Sequence, residues 1–147
     1  MGMEKKIVDT ENLEHQLGKA RDVQDFWRDN ELNLREMTLA EFLQELLTAK
    51  GLKKAEVVKR SGLDKGYAYH LFGGQKQNPS RDKVLALALA MKLTTKETQH
   101  LLHYAGAGAL YVRDHWDSVL WYALEHQMGV VDTNLLLTEL NLRALEL

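Results

Sequence analysis

The sequence predicts an all-α fold, and three observations carry that prediction. Pro79 is the only proline among 147 residues. No segment alternates apolar and polar residues cleanly enough to form a half-buried strand. Helix-start signals recur instead. Thr38-Leu39-Ala40-Glu41 and Thr94-Thr95-Lys96-Glu97 share a spacing in which hydroxyl and carboxylate satisfy free N–H groups reciprocally.

The elements follow in order. Residues 9–32 read as an acidic helical arm broken near Gly18, with Ile7, Leu13, Leu17, Val23, Phe26 and Trp27 as its apolar points. The helix opened by Thr38 carries Leu39, Phe42, Leu43 and Leu46 and stops at Gly51, as helices often end on glycine. Residues 53–74 hold two short amphipathic helices joined by a tight turn. Val57 and Val58 form the apolar side of the first; Ala68 and Leu71, with Phe72, form that of the second. Gly62 supplies the φ > 0 conformation a sharp corner demands, Leu63 plugs the corner, and Asp64 caps the second helix. This is a helix-turn-helix pattern, whose second helix suits the major groove of DNA.

A loop at residues 75–79 leads to a helix starting at Ser80, with Val84, Leu85, Leu87, Ala88 and Met91 as its apolar residues. The helix opened by Thr94 buries Leu101, Leu102 and Ala105. Gly106-Ala107-Gly108 is the strongest boundary, and helices near residues 113–127 and 133–145 follow it. The expected organisation is an arm at 1–37, a helix-turn-helix domain at 38–105 and a helical extension at 106–147. No internal repeat and no low-complexity tract is visible.

On these residues the chain resembles a known family. Residues 39–102 resemble the phage-repressor-like (Xre-type) helix-turn-helix domain of bacterial regulators, a lambda-repressor-like bundle. The matching features are the apolar first helix, Lys53-Lys54-Ala55-Glu56-Val57-Val58, Ser61-Gly62-Leu63-Asp64, Gly74, and the proline-bearing loop before Ser80. The resemblance implies a sequence-specific DNA-binding transcriptional regulator with residues 64–72 as recognition helix. It puts Lys54 at a phosphate contact where the family usually has Gln. It puts Lys65, Gly66, Tyr67 and His70 at the base-reading positions, with Lys76, Gln77 and Asn78 in the adjoining loop. Two departures stand out: Phe72 replaces a frequent Glu, and the helix lacks the Arg, Asn and Gln forks that make bidentate base contacts. Tyr67, Tyr69 and His70 also suit a protein interface, so the alternative is a helix-turn-helix fold serving as a protein-interaction adaptor.

The net charge of −2 conceals an asymmetry. Residues 50–83 contain nine Lys/Arg (50, 53, 54, 59, 60, 65, 76, 81, 83) against Glu56, Asp64 and Asp82, a net +6, while residues 1–37 and 84–147 are each −3. A basic segment coinciding with the helix-turn-helix is the footprint expected for a polyanion such as double-stranded DNA. Lys53 and Lys54 at a helix start oppose its dipole by roughly 0.3–1 kcal/mol each; a phosphate there would reverse that sign.

Enzyme signatures are thin. Glu97, His100 and His103 share a helical face, but a carboxylate-bridged di-metal site needs a second Glu-x-x-His, which is missing. His15, His115 and His126 have no motif around them, and no Walker loop, dinucleotide fingerprint or nucleophile elbow occurs. No catalytic residue, metal or cofactor is expected. No apolar run suits a membrane span, zero cysteines fit a reducing compartment, and no secretory leader is visible; the expectation is cytoplasmic. Met1-Gly2-Met3 reads as an added start before a native one.

With 45% apolar residues there is ample material for a core. Trp116, Val119, Leu120, Tyr122, Ala123 and Leu124, then Leu135, Leu136, Leu137, Leu140, Leu142 and Leu145, exceed one amphipathic stripe. They enlarge the monomer's core or form a two-fold interface. The expectation is a homodimer joined outside residues 39–93.

Overall fold

The computed structural model describes residues 10–30 and 37–147. Its elements are α1 (Thr10–Lys19), α2 (Val23–Asp29), α3 (Leu39–Lys50), α4 (Lys54–Ser61), α5 (Lys65–Gly73), α6 (Arg81–Ala90), α7 (Thr95–Tyr104), α8 (His115–Glu125) and α9 (Val130–Glu139). No strand occurs among the described residues, so the chain is all-α there. None of these helices is long and apolar enough to cross a membrane.

Two compact units emerge, residues 1–37 and 38–147. In the first, α1 and α2 are separated at residues 20–22, and the Asp22 carboxylate accepts from the Asp25 N–H at 2.8 Å to start α2. Ile7, Leu32 and the Met1-Gly2-Met3 start lie outside the described residues.

In the second unit the local signals become caps. Thr38 and Glu41 exchange hydrogen bonds at the start of α3, as Thr94 and Glu97 do at α7. Asp64 opens α5 and Ser80 opens α6. Helix α6 lies at the centre, buried at every residue from Val84 to Ala90, as a helix apolar all round must be. It packs on α4, α7, α8 and α9, while α3 packs on α5 and α7.

Contrary to the sequence expectation, the chain does contain a repeat. Helices α6 and α7 recur, 35 residues on, as α8 and α9. Asp82 matches Asp117, Val84 and Leu85 match Val119 and Leu120, and Ala88 and Leu89 match Ala123 and Leu124. Thr98 then matches Thr133, Leu101 and Leu102 match Leu136 and Leu137, and Ala109 and Leu110 match Ala144 and Leu145. The hydrogen bonds recur with them. The Thr98 and Thr133 hydroxyls donate to the carbonyls of Thr94 and Gly129 at 2.8 and 2.7 Å. The Gln99 and Asn134 amide oxygens accept from the Leu110 and Leu145 N–H groups, both at 2.8 Å. Left-handed residues end all four helices, Lys92 and Gln127 in one pair, Gly106 and Asn141 in the other. The next N–H in each case reaches back five residues (Leu93 to Ala88, Met128 to Ala123, Ala107 to Leu102, Leu142 to Leu137), which is the Schellman closure.

That closure also corrects the last helix. It was expected near residues 133–145 but runs Val130–Glu139. Asn141 at φ 59° turns the chain, as asparagine tolerates, and Leu145 folds back to 6% exposure. The apolar surplus divides accordingly. Val119, Leu120, Ala123, Leu124, Leu137 and Leu145 are core, whereas Tyr122, Leu135 and Leu140 are exposed.

The two repeats grip each other reciprocally. The Tyr111 N–H donates to Asp117 Oδ2 at 2.9 Å, and the Glu146 N–H to Asp82 Oδ2 at 2.8 Å. Such an exchange is the signature of two-fold-related units. Each carboxylate also receives a forked guanidinium. Arg81 donates to Asp117 at 2.8 and 2.7 Å, and Arg143 to Asp82 at 2.6 and 3.2 Å. Arg81 Nε donates to the Gly108 carbonyl and Trp116 Nε1 to the Arg143 carbonyl, both at 2.9 Å; these positions too are 35 apart.

Burial pushes both aspartates up, but the arginine hydrogen bonds and the backbone N–H groups outweigh it, and both end below the ordinary carboxylate value. A depressed folded value means stability present above the unfolded value, about 3.9, and lost as pH falls through the folded one. Asp117→Asn should therefore cost about 2–3 kcal/mol at pH 7, the loss of charge-assisted bonds. It should also lose less stability than the parent between pH 5 and 2. Urea unfolding across that range checks both.

Candidate nucleic-acid interface

Helix α4 begins at Lys54, and its N-cap residue Lys53 makes no side-chain cap. At its other end the buried Ser61 hydroxyl donates to the Val58 carbonyl at 2.7 Å and accepts the Leu63 N–H at 3.2 Å. Gly62 sits at φ 75° and Leu63 is 7% exposed. The Asp64 carboxylate then accepts the Tyr67 N–H at 3.0 Å. One hydroxyl, one left-handed glycine, one buried leucine and one carboxylate thus set the angle between α4 and α5.

On α5, Ala68, Leu71 and Phe72 are buried. Lys65, Gly66 and His70 are exposed, and Tyr67 and Tyr69 are half-buried. The Lys83 ammonium, from the first turn of α6, lies 4.1 Å from the centre of the Tyr67 ring, within cation–π range. Lys54 reaches a different aromatic, its ammonium 5.6 Å from the Phe72 ring centre. Phe72 thus offers that ammonium its ring face.

The loop after α5 turns at Gly74 (φ 86°) and returns to the helix, where the Lys76 N–H donates to the His70 carbonyl at 3.1 Å. Asn78 is left-handed at φ 54°. Lys76, Gln77 and Asn78 are exposed, and with Thr38, Leu39, Ala40, Gly74 and Tyr104 they line a cleft of about 260 Å³. These loop residues therefore border the start of α3 as well as the end of α5. Burial, with the Glu45 charge, pushes the Tyr104 hydroxyl above its ordinary value.

Not every cation of the basic segment faces water. Lys50 Nζ donates to Glu97 at 2.9 Å, and Arg81 is held by Asp117. Lys53, Lys59, Arg60, Lys65 and Lys76 are exposed, and Lys54 and Lys83 are half-buried. Lys83 is the residue that sequence reasoning left out of the site. Its charge was legible, but its place beside Tyr67 depends on how α6 packs.

Glu97, one of the residues weighed as a metal ligand, serves the Thr94 cap and Lys50. Burial raises its carboxyl, and the Thr94 N–H and Lys50 bring it below the ordinary value. Among the described residues no group of three or more histidine, aspartate or glutamate side chains is placed to hold a metal ion. Comparison of the chain with protein-family models, with curated proteins and with solved structures finds no match.

Gly62→Ala tests the turn. A Cβ there meets Leu147 Cδ1 at 3.4 Å and forces alanine to φ 75°. The expected loss is about 1–2 kcal/mol, read as a lower urea midpoint with an unchanged slope.

Proposed function

We propose that the chain is a sequence-specific DNA-binding transcriptional regulator of the phage-repressor-like (Xre-type) class, with residues 38–105 as its lambda-repressor-like domain and α5 as its recognition helix. One observation carries this most: the outward side of α5 presents Lys65, Tyr67 and His70 with the Lys83 ammonium over the Tyr67 ring. Side chains of this kind can reach base edges and thymine methyls while neighbouring cations neutralise phosphates. Lys54, Lys65 and Lys76 take the phosphate backbone; Tyr67 and His70 take the bases. Gln77 and Asn78 add neutral donors from the loop after α5. The activity is binding, without catalysis, metal or cofactor. Two copies on one duplex face would read half-sites about 34–36 Å apart, or a multiple of that spacing.

A second reading rests on the composition of α5, which has no Arg, Asn or Gln. In that reading Tyr67, Tyr69 and His70 meet a protein and the fold serves as an adaptor.

Selection of bound duplexes from a random pool, followed by salt titration, separates the two. Each phosphate contact contributes about −0.9 to the log–log salt slope, so Lys54→Ala should flatten it by about one unit and weaken all sequences alike. Tyr67→Ala and His70→Ala should change the selected sequence, at about 1–3 kcal/mol for a lost base contact. A chain that enriches no duplex, but loses a protein partner on Tyr67→Ala, is the adaptor.

A further inference from the structure

Among the described residues, the second repeat has a face without the helix cover that its counterpart has within the first. On α7, that cover is α3. The Phe42 ring lies 4.7 Å from Tyr104 and 6.5 Å from His100, and Lys50 Nζ donates to Glu97 Oε1 at 2.9 Å. Shifted by 35 residues, His100 becomes Leu135, Tyr104 becomes Glu139 and Glu97 becomes Asp132. All three counterparts are exposed, Leu135 at 58%. Beside them a groove of about 310 Å³ runs between α8 and α9, lined by Ser118, Val119, Tyr122, Leu136 and Leu140. The first-repeat counterparts of the last four are Val84, Leu87, Leu101 and Ala105, all buried. Tyr122 and Leu140 are 51% and 52% exposed.

We infer that this face is a second helix seat, and that it docks an amphipathic helix of a partner protein, apolar along one side and bearing a lysine at its C-terminal end. The repeat supplies the geometry, because the equivalent surface of α7 already holds such a helix. Charge supplies the occupant. Asp132 stands where Glu97 receives Lys50, and a cation at a helix C-terminus is favoured by the helix dipole. Helices α8 and α9 contain no lysine or arginine, so a second copy laid on this face would oppose acid to acid. The chain's own α3 is committed to its core, with Leu39, Phe42, Leu43, Leu46 and Leu47 buried. Apolar anchors in a groove with a charged rim are a familiar mode of helix capture. The seat is independent of DNA binding and stands or falls separately from it.

The probe is a peptide of residues 38–51 of this chain, amidated, titrated into the isotope-labelled full-length protein and followed by NMR. It carries Phe42 and Lys50 and reproduces the known occupant of the related seat. Saturable shifts confined to Leu135, Leu136, Leu140 and Tyr122 are expected. Leu135→Asp with Leu140→Asp should weaken binding at least tenfold; both side chains are exposed, and circular dichroism verifies the fold. Asp132→Lys should weaken the parent peptide about threefold, the size of an exposed ion pair, and favour a Lys50→Glu peptide instead. No shifts on this face at millimolar peptide would overturn the inference. So would shifts centred on α7, which mean exchange with the native α3. A dimer in sedimentation that Leu135→Asp and Leu140→Asp dissolve would make a second copy the occupant and overturn it as well.

Discussion

Two adjacent side chains at the first turn of α6, Arg81 and Asp82, tie the larger unit together. Arg81 holds Asp117 by two hydrogen bonds and the Gly108 and Ala109 carbonyls by two more. Asp82 takes the Arg143 fork and the Glu146 N–H. One helix start thus anchors α8, the loop before it and the chain after α9. These are charge-assisted bonds in half-buried surroundings, where removing one partner leaves the other desolvated and uncompensated. Without them, α8 and α9 would depend on apolar packing and on exposed hydrogen bonds such as Lys92 Nζ to the Gln127 carbonyl at 2.7 Å and the Thr95 hydroxyl to Glu125 at 3.0 Å.

This arrangement also shapes the electrostatics of the candidate interface. The basic segment counts nine cations in sequence, yet Arg81 and Lys50 are neutralised within the fold. The cations left facing outward are Lys53 and those of α4, α5, the loop after α5 and Lys83. Lys83 follows directly from Asp82, so the clamp that binds the second repeat also fixes the helix turn from which Lys83 covers Tyr67. Clamp residues and the lysine that covers Tyr67 thus share one turn of α6.

The repeat explains why the C-terminal helices are both core and surface. A unit that pairs with its twin buries one face, and in the first copy the other face is covered by α3 and α4. The second copy has the same apolar register on α8 and α9, but Tyr122, Leu135 and Leu140 remain exposed. Apolar side chains grouped this way are more than the scattered singletons any surface carries.

Local chemistry was legible from the residues alone. The Thr38 and Thr94 boxes, the Asp64 and Ser80 caps, Gly51 as a stop and Gly62 as a corner involve partners no more than three or four residues apart. Such contacts depend on helix geometry, which a sequence carries in its spacing. The outward placement of His70 and the burial of Phe72 followed from the same periodicity, whereas Tyr67, which that periodicity also turns outward, is half-buried. Tertiary structure decided what spacing cannot. Lys50 meets Glu97 across 47 residues, Arg81 meets Asp117 across 36, and Arg143 meets Asp82 across 61. The repeat was hidden because Leu87 became Tyr122, Gly106 became Asn141 and Lys92 became Gln127. What persisted was a set of identical residues, Asp82 with Asp117 and Thr98 with Thr133 among them, together with left-handed helix ends and capping bonds. A backbone conformation can be kept by glycine, asparagine, glutamine or lysine, so the helix ends lose identity while their geometry remains, and only the folded chain displays that geometry.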